Sequence, residues 1–266
     1  MRPPFTFATW NILATAYIRT EYYPATPPRF LYPEWRVPAL VRRAEELQAD
    51  ILCLQEVERA VFDALQRRLA ASGYAGSFQK KAGKKPDGCA LFFRTARFRL
   101  VEERQLIYED GGSGRNSGHI AQMLTLDADG LELEVVNTHL KWDPAGTPRD
   151  RQWGYRQISE AVAALSQRSA ERVSIICGDF NVQWDSPVVA LLRSVGFRAT
   201  HQPGADIYSC NSSGEPKLID FIFFRGPVDA EAFPLDVIHG DTPLPSEDHP
   251  SDHLPLVARF VPGRLE

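Results

Sequence analysis

Short apolar runs bounded by turn residues recur along the chain, and this pattern indicates β-strands. Ile51–Leu54 and Phe221–Phe224 are apolar at every position, which predicts strands covered on both faces. Leu131–Val135 instead alternates apolar residues with glutamate, which favours a strand with one face in water. The predicted strands are Phe5–Trp10, Ile51–Leu54, Ala90–Phe93, Leu131–Val136, Ser174–Cys177, Phe221–Phe224 and Leu256–Phe260.

Between the strands, apolar residues recur at the three- and four-residue spacing of helices. The segment Asp185–Gly196 also carries helix boundary signals, because a polar cap precedes Pro187 and a glycine ends the apolar run. Helices and strands are therefore interleaved, which predicts an α/β protein. The other helical stripes are Val37, Leu40, Val41, Ala44 and Leu47; Phe62, Leu65 and Leu69; and Ile158, Val162 and Leu165.

Two segments show neither pattern. Tyr17–Pro33 is rich in proline and aromatic residues, and Glu109–Gly118 is rich in glycine and serine. Loops of this length are usually functional or disordered, so we expect them to border a functional site or to lack order.

The composition is that of a globular chain with a large core, because 44% of the 266 residues are hydrophobic and 24% are charged. No composition break or linker divides the chain, so we expect a single domain over residues 1–266. The formal net charge of −4 argues against a generally basic surface, so any contact with a polyanion must be local. Basic residues cluster at 80–85 and 149–156, where a solvated surface and a phosphate contact are both open interpretations.

The cysteines and the amino terminus bear on the compartment. Four cysteines are widely scattered without a Cys-x-x-Cys pair, which predicts buried thiols in a reducing environment. No secretory signal and no apolar run of membrane-spanning length is present, so we expect a cytoplasmic protein that does not bind a membrane. No feature indicates an obligate protein partner. The cysteines are Cys53, Cys89, Cys177 and Cys210.

Polar residues lie at the ends of most predicted strands. Five of them follow a strand, whereas Asp220 and the pair Asp252–His253 precede the last two strands. If those last strands run antiparallel to the others, all these side chains meet at one edge of the fold. Each residue alone has an ordinary explanation as a turn or cap residue, so only the set indicates a site. The set is Asn11, Glu56, His139, Asp179, Asn181, Asp220, Asp252 and His253.

This set suits magnesium-dependent hydrolysis of a phosphate ester. Asn11 and Glu56 offer the hard oxygen ligands that Mg²⁺ prefers, Mn²⁺ can replace it, and Asp252 is a further candidate ligand. The absence of a His-x-x-x-His or cysteine cluster argues against zinc. Asp179 is suited to deprotonate or orient the attacking water, and Asn181 can fix that geometry by an amide hydrogen bond.

The two histidines complete the predicted chemistry. His139 and His253 can donate hydrogen bonds to the nonbridging phosphate oxygens as negative charge builds in the transition state. A carboxylate such as Asp220 would hold His253 in one tautomer and favour its protonated form. We therefore predict an Asp220–His253 pair at the site.

Six segments in this order resemble the signature segments of the endonuclease/exonuclease/phosphatase superfamily, and the resemblance covers nearly the whole chain. It implies a DNase I-like fold, a four-layer α/β sandwich of two mainly antiparallel mixed sheets flanked by helices. It also implies that Asn11 and Glu56 form the metal site, that His139 and Asn181 contact phosphate, and that Asp179 activates water. The segments are Thr9–Leu13, Leu54–Val57, Asn137–Leu140, Gly178–Asn181, Leu218–Phe223 and Ser251–Pro255.

Three further segments, Leu52–Phe62, Asp87–Phe93 and His139–Pro144, resemble the deadenylase, nocturnin, Angel and 2′-phosphodiesterase branch. Members act mostly on RNA ends, short oligoadenylates or nucleotide phosphates. The resemblance therefore implies an RNA or oligonucleotide substrate, and our leading hypothesis is a 3′-to-5′ exoribonuclease or 2′,5′-phosphodiesterase. The candidate substrate-binding residues are Lys84, Lys85, Arg115, Trp142 and Pro144.

One departure bears on base selectivity. The deadenylases carry an adenine-stacking aromatic just upstream of the position of Asp220, whereas this chain has Ser213–Lys217 there, which argues against poly(A) selectivity. Base stacking and ordinary packing are both open for the nearby tyrosines. These tyrosines are Tyr17, Tyr22, Tyr23 and Tyr208.

Three alternative functions use the same residues differently. A phosphatase would act on a terminal or cyclic phosphate of RNA or on a nucleotide, with a pocket of different depth. A DNA endonuclease shares the core segments but not those of the branch. A noncatalytic binding module is disfavoured because every expected active-site position is present.

Overall fold

Two six-stranded β-sheets face each other, and helices cover their outer faces. The computed structural model describes residues 2–166, 172–204 and 206–263. The helices are α1 (Pro33–Glu46), α2 (Arg59–Ala71), α3 (Trp153–Ser166) and α4 (Pro187–Ser194). The strands are β1 (Phe5–Asn11), β2 (Ile51–Glu58), β3 (Tyr74–Lys80), β4 (Asp87–Arg94), β5 (Arg99–Ile107), β6 (Ile120–Ala128), β7 (Leu131–His139), β8 (Val173–Asp179), β9 (Arg198–Ala199), β10 (Cys210–Ser212), β11 (Glu215–Lys217), β12 (Asp220–Arg225), β13 (Val228–Ala232) and β14 (Leu256–Pro262).

The first sheet has the strand order β13-β14-β1-β2-β4-β3 and the second the order β5-β6-β7-β8-β12-β9. Among the described strand pairs, β1–β2 and β7–β8 are parallel and the others are antiparallel. Strands β10 and β11 form a separate small hairpin. Two mainly antiparallel mixed sheets confirm the predicted sheet organisation.

Three apolar cores separate four layers. Residues such as Phe7, Val135 and Phe260 fill the space between the sheets. The outer face of the first sheet packs on α1 and α2, and that of the second packs on α3 and α4. This arrangement confirms the predicted four-layer α/β sandwich, because each sheet buries one face on its partner and one on helices.

Helix α4 begins where its sequence signals predict. The Ser186 hydroxyl accepts a hydrogen bond from the Val189 backbone N–H at 3.3 Å, and Pro187 occupies the first turn. Val188, Val189 and Leu192 are buried against the second sheet. The cap and the apolar stripe together therefore account for this helix.

The prediction that one face of β7 is exposed to water is wrong. Glu134 is 1% exposed, and its carboxylate pairs with the Arg104 guanidinium at 3.0 Å. β7 is an inner strand of the second sheet, whose outer face is covered by helices. The alternating glutamate is therefore buried, and its charge is paired with the basic side chain of Arg104 from β5. A buried carboxylate is stable when it is paired in this way.

The two long segments without a regular pattern lie beside the fold as loops. Two short 3₁₀ turns, Thr20–Tyr22 and Pro28–Leu31, lie within Tyr17–Pro33, and a third, Thr15–Tyr17, ends at its first residue.

All four cysteines are free and buried, as predicted. Within the described residues, no helix combines the length and the apolar character needed to cross a bilayer.

Strand direction brings the polar residues to one edge. The parallel pairs β1–β2 and β7–β8 end there with their carboxyl termini, and the antiparallel strands β12 and β14 begin there. The predicted polar side chains therefore meet at one edge of the two sheets, because β12 and β14 run antiparallel to their neighbours.

Candidate active site

Neighbouring strands place three of the predicted side chains side by side. His139 at the end of β7 lies opposite Asp179 at the end of β8, and Asp179 lies opposite Asp220 at the start of β12. His253, just before β14, completes the group, with its Nε2 3.8 Å from an Asp179 carboxylate oxygen. Residues up to 114 positions apart thus share one cleft because of strand order.

Glu56 enters the site from inside β2, not from its end as predicted. The β2–β4 register shifts between Leu54 and Val57, and Glu56 in this bulge has a φ of +57°. Bulges re-aim side chains, and this one directs the Glu56 carboxylate to Asn11. The Asn11 amide donates to Glu56 Oε1 at 3.1 Å, and the Ala14 backbone N–H donates to Oε2 at 2.8 Å.

Asp179 is held on both carboxylate oxygens. The Asn11 side-chain amide donates to Oδ2 at 2.9 Å, and the Asn181 backbone N–H donates to Oδ1 at 2.9 Å. Burial and the nearby charge of Asp220 raise the pKa of Asp179 to about 7. Asp179 is therefore a fixed carboxylate whose proton affinity lies near neutral pH.

His253 and Asp220 form the predicted pair. His253 Nδ1 donates to Asp220 Oδ2 at 2.8 Å, and the Ser209 hydroxyl donates to the same oxygen at 2.7 Å. Burial is the largest single effect and opposes the charged imidazole, but the surrounding groups, led by the charge of Asp220, together raise the pKa of His253 well above its ordinary value. The pair therefore presents a cationic Nε2–H to the cleft.

His139 has the opposite electrostatic character. Burial, followed by the charge of Lys81, lowers the pKa of His139 well below its ordinary value. Its Nε2 lies 3.0 Å from the Asn181 side-chain nitrogen and 3.6 Å from Asp179 Oδ2. The two imidazoles of the site therefore differ in proton affinity, with the pKa of His139 lowered and that of His253 raised.

The donor set at Asn11 and Glu56 fits a divalent cation. Asp179 is buried and Glu56 is largely buried, and the neutral Asn11 amide donates to both carboxylates. Burial is the main cause of the raised pKa of Glu56, and the charge of Lys81 and the hydrogen bonds from Asn11 and Ala14 offset it only in part. A hard cation with oxygen ligands would supply the remaining compensation.

The third predicted metal residue, Asp252, lies slightly apart. Its ligand atoms group with those of Cys210 and His253, whereas Glu56 groups with His139 and Asp179. The Tyr23 hydroxyl donates to Asp252 Oδ2 at 3.0 Å. Asp252 therefore borders the Glu56 position without joining its group.

Arg36 was not predicted, yet it joins the segment that follows Asn11 to the loop that carries Asp252. It is 1% exposed, and its guanidinium donates to the carbonyl oxygens of Ile12, Leu13 and Pro250 at 2.5 to 2.9 Å. No pattern in the sequence distinguishes this arginine from the surface arginines of α1, because its acceptors are backbone atoms of distant segments.

Lys81 is the largest departure from the sequence interpretation, which left it in a basic surface cluster. It is 3% exposed, and its Nζ lies 2.6 Å from Asp87 Oδ2 and 3.3 Å from His139 Nδ1. The Tyr17 hydroxyl donates to the other Asp87 oxygen at 2.6 Å. The available signal was Asp87 itself, since an aspartate that opens an all-apolar strand needs a buried cation.

Three predicted substrate residues share a cavity next to this site. Lys84, Lys85 and Arg115 line a space of about 640 Å³, with Tyr17 as one wall. Trp142 and Pro144 do not line it. They lie on the loop after β7, where Trp142 is 61% exposed.

The other tyrosines differ in their surroundings. Tyr23 is buried beside Asp252, and Tyr208 packs against the cluster of Ile238, Leu244 and Leu254, so packing accounts for both. Tyr22 is 51% exposed, and its carbonyl accepts from the backbone N–H of Ser213 in the β10–β11 hairpin. Tyr22 is therefore the exposed one of the four, Tyr17 and Tyr208 are half-buried, and Tyr23 is buried.

Buried amides connect the two sheets beneath the site. Gln55 in β2 donates to Asn137 Oδ1 at 2.7 Å, and Asn137 donates to the carbonyl oxygens of Leu54 and Ala90. Buried hydrogen bonds of this kind stiffen a core. They hold β2, which carries Glu56, against β7, which carries His139.

Comparison with known proteins identifies the family of the chain. Residues 8–253 match the sequence profile of the Endonuclease/Exonuclease/phosphatase family. The chain is 30% identical to nocturnin of Homo sapiens over 284 residues, covering 97% of this chain and 65% of that protein. It is 27% identical to 2′,5′-phosphodiesterase 12 of Mus musculus, covering 94% of this chain and 50% of that protein. The chain thus spans between half and about two thirds of these relatives.

Solved structures show the same fold. The human nocturnin catalytic domain with bound sulfate superposes with a TM-score of 0.75 at 28% identity, covering 97% of this chain and 93% of that one. ANGEL2, a 2′,3′-cyclic phosphatase solved with adenosine-2′,3′-vanadate, superposes with a TM-score of 0.82 at 20% identity, covering 97% and 96%.

At the level of the family, these matches confirm the prediction of a hydrolase acting on phosphoric esters. The chain belongs to the endonuclease/exonuclease/phosphatase family, and among its members it is similar to nocturnin, a CCR4 protein and 2′,5′-phosphodiesterase 12.

Proposed function

We propose that this chain hydrolyses phosphodiester bonds in RNA or short oligonucleotides, as a 3′-to-5′ exoribonuclease or a 2′,5′-phosphodiesterase that uses Mg²⁺ or Mn²⁺. The observation that carries the proposal is the juxtaposition of a buried carboxylate, Asp179, with an oriented Asp220–His253 pair beside Glu56. The two sheets share one core, which supports a single catalytic domain over residues 1–266.

Asp179 is the proposed general base. Its carboxylate is fixed by Asn11 and Asn181, and a pKa of about 7 lets it accept a proton from water near neutral pH. A base with an ordinary carboxylate pKa would accept that proton less readily. Burial beside Asp220 thus makes Asp179 suited to activating the attacking water.

The proposed phosphate contacts are His253, His139 and Asn181. The cationic Nε2–H of His253 can donate to a nonbridging oxygen, where it would offset the charge that builds in the transition state. The Asn181 amide already donates to the Leu140 carbonyl oxygen at 2.9 Å, which fixes its orientation toward His139. Preorganised donors of this type need no rearrangement during the reaction.

Asn11 and Glu56 would hold the metal ion, and Asp252 would act from the border of that position. When bound, a divalent cation would polarise the phosphate and relieve charge on the leaving oxygen.

The cavity lined by Lys84, Lys85 and Arg115 would bind the remainder of the substrate. Three basic side chains can contact phosphates, and Tyr17 offers an aromatic face to a base. The names of the similar proteins, nocturnin and 2′,5′-phosphodiesterase 12, support a nucleotide-containing substrate. The four free, buried cysteines support action in the cytoplasm, where thiols stay reduced.

The test is a panel of oligoribonucleotides, 2′,5′-oligoadenylates, oligodeoxynucleotides and nucleotide phosphates, each with Mg²⁺, Mn²⁺ or chelator, analysed by product mass. We expect RNA or 2′,5′-linked chains to shorten by single nucleotides with metal and to stay intact with chelator. Asp179→Asn should lower the rate about 10²-fold or more, because it removes the base. Asp241→Asn, an exposed aspartate, is the control. If no linkage is cleaved with either metal, the proposal is wrong.

A phosphatase acting on a terminal or cyclic phosphate of RNA, or on a nucleotide, is the second candidate. The observation that favours it is the size of the cavity, since about 640 Å³ accommodates one nucleotide more readily than a long strand. Release of inorganic phosphate without shortening of the chain would identify this activity in the same panel.

A further inference from the structure

We propose that Cys210, Asp252 and His253 form a binding site for a thiophilic divalent cation, Zn²⁺, and that Zn²⁺ bound there stops hydrolysis. The effect on hydrolysis rests on the proposed function, whereas the binding of the cation does not. The three residues are 4%, 6% and 6% exposed, and their ligand atoms all lie within 4.8 Å of one another. None of the three belongs to the group of Glu56 that would hold Mg²⁺.

Strand β10 brings Cys210 to His253. The two residues pair as an isolated antiparallel bridge, and backbone hydrogen bonds of 3.0 Å and 2.7 Å flank the pair on its two sides. Flanking bonds of this kind define the closely spaced type of antiparallel pair, in which both side chains lie on the same face. The backbone therefore holds the thiol next to the imidazole. The sequence shows no zinc motif because these ligands come from two distant segments.

His253 is already oriented as a metal ligand. Its Nδ1–H donates to Asp220 Oδ2 at 2.8 Å, which leaves Nε2 facing the cleft. Histidines that bind metals almost always donate their other ring N–H to a carboxylate, a backbone carbonyl or water. Asp220 therefore supports His253 as a ligand by the same hydrogen bond that orients it for phosphate.

The Asp252 carboxylate presents one oxygen to His253. The Tyr23 hydroxyl donates to Oδ2 at 3.0 Å, whereas Oδ1 lies 4.0 Å from His253 Nε2. This gap is too wide for a hydrogen bond but wide enough for a cation, because Zn²⁺ binds nitrogen and carboxylate oxygen at about 2.0 to 2.2 Å. The hydrogen bond from Tyr23 would hold the carboxylate in place as a ligand.

The kinds of donor atom select Zn²⁺ over Mg²⁺. A thiolate, an imidazole nitrogen and a carboxylate oxygen are all ligands of Zn²⁺, and a site with three protein ligands keeps its fourth position open. Mg²⁺ instead suits the oxygen ligands of Asn11 and Glu56. The thiolate of Cys210 and the carboxylate of Asp252 together carry two negative charges, which would balance the charge of Zn²⁺ in a buried site.

Zn²⁺ at this position would remove a phosphate contact. Metal ligands must be deprotonated, so binding releases the thiol proton of Cys210 and the Nε2 proton of His253 to solvent. Nε2 then no longer donates to a nonbridging oxygen of the phosphate. Hydrolysis would therefore stop until Zn²⁺ dissociates.

The first experiment measures the Kd of Zn²⁺ for the full-length chain by competition with a chromophoric chelator, with Mg²⁺ in excess to occupy the Glu56 group. We expect a single Zn²⁺ per chain. Cys210→Ala should weaken the Kd about 10²-fold or more, because losing a residue that only supports a ligand already costs about 10- to 100-fold. Cys53→Ala is the matched control, since Cys53 is also free and buried but lies between the two sheets, and its Kd should equal that of the wild-type chain.

Co²⁺ in place of Zn²⁺ identifies the sulfur ligand directly, because a thiolate bound to Co²⁺ gives a charge-transfer absorption in the near ultraviolet. The wild-type and Cys53→Ala chains should show this absorption, and Cys210→Ala should lack it. If Cys210→Ala does not fold, Cys210→Ser, which keeps the size of the side chain, replaces it in each measurement.

The second experiment measures the Zn²⁺ concentration that halves the Mg²⁺-dependent rate on the substrate identified by the panel. Each variant is compared with its own rate without Zn²⁺, so a change in basal activity does not enter the result. This concentration should rise about 10²-fold in Cys210→Ala, in line with the loss of affinity, and should stay at the wild-type value in Cys53→Ala.

Equal Zn²⁺ affinity in the wild-type and Cys210→Ala chains, or a wild-type Co²⁺ complex without the sulfur absorption, would overturn the site. Inhibition that is unchanged in Cys210→Ala would mean that Zn²⁺ acts elsewhere, and would overturn the effect on hydrolysis. If the wild-type chain cleaves no substrate of the panel, the proposed function fails, while the Zn²⁺ titration still decides whether the site exists.

Discussion

Glu56 and Asn181 both have left-handed backbone conformations, with φ of +57° and +53°, although neither is a glycine. Such conformations cost about 1 kcal/mol or more and persist where surrounding contacts hold them. At Glu56 those contacts come from Asn11 and Ala14, and at Asn181 from Asp179 and Leu140. Both strained residues direct their side chains into the site.

Asp220→Asn should lower kcat by about tenfold or more, because His253 would lose the charge that favours its cationic form. The size of the side chain is kept, so the fold should be retained, and circular dichroism is the check. Steady-state kinetics on the substrate identified by the panel give the measurement. Normal turnover would remove Asp220 from the mechanism.

His119 gives a pH dependence of stability that is independent of the metal position. Burial lowers its pKa to about 3 from the ordinary 6.5, and its Nδ1–H donates to the His139 carbonyl oxygen at 2.8 Å. Between these two values the unfolded chain binds more protons than the folded one, so stability rises with pH. His119 should therefore cost about 2 kcal/mol of folding free energy on going from pH 7 to pH 5.

Urea unfolding of the wild-type chain and of His119→Gln across this pH range measures that contribution. The variant should lose less stability on acidification, and the difference between the two slopes isolates His119 from the other buried histidines. Parallel slopes would show that His119 binds protons equally in the folded and the unfolded chain.

The parallel pair β7–β8 depends on one glycine. A Cβ at Gly178 would lie 1.8 Å from the carbonyl oxygen of Thr138 in β7, and its φ is +135°. Only glycine allows the two strands to approach this closely. His139 and Asp179 directly follow Thr138 and Gly178, so the close approach at Gly178 sets the distance between them.

Gly178→Ala should destabilise the fold by about 3 kcal/mol, because the two strands must move apart. It should also lower kcat, since His139 and Asp179 move with their strands. Gly196→Ala is the control: it has a φ of +86° but no atom within 4 Å of its Cβ, so it should lose only about 1 kcal/mol. Equal losses in thermal or urea unfolding would contradict the role of close approach.

Charge is distributed unevenly over the molecule. The chain has a formal net charge of −4, yet Lys84, Lys85 and Arg115 line one cavity beside the active site. Local positive charge can therefore hold a polyanion on an acidic protein, while the remaining surface repels it. The affinity for RNA should therefore decrease with salt concentration, but only weakly, because few side chains contact phosphates.

Binding of a single-stranded oligoribonucleotide, measured by fluorescence anisotropy with chelator to prevent turnover, should weaken with salt. Three phosphate contacts predict a slope of about −2 for log K against log salt, and Lys85→Met should reduce its size by about 0.7. Arg67→Met, on the exposed face of α2, is the control and should leave the slope unchanged. A binding constant independent of salt would contradict phosphate contacts in this cavity.

Local sequence patterns were sufficient to predict the helices and strands that bury a continuous apolar face. The seven predicted strands and four predicted helices are all present, because apolar periodicity reports burial directly. Strands with mixed patterns, such as β3, β5 and β13, were not predicted, since they lie at sheet edges or carry many polar residues. The end of β2 was also missed, because a bulge continues the strand past Glu56.

The sequence by itself determined the layered α/β fold, the family, and the set of polar residues at strand ends, because each follows from local spacing or short ordered segments. The tertiary structure decided which of these side chains meet and in what state. Lys81 is a buried cation beside His139, whereas Lys84, three residues later, is exposed on a cavity wall. The cause is long-range: strand order places β3, β4 and β7 together, and no local pattern of charge contains that information.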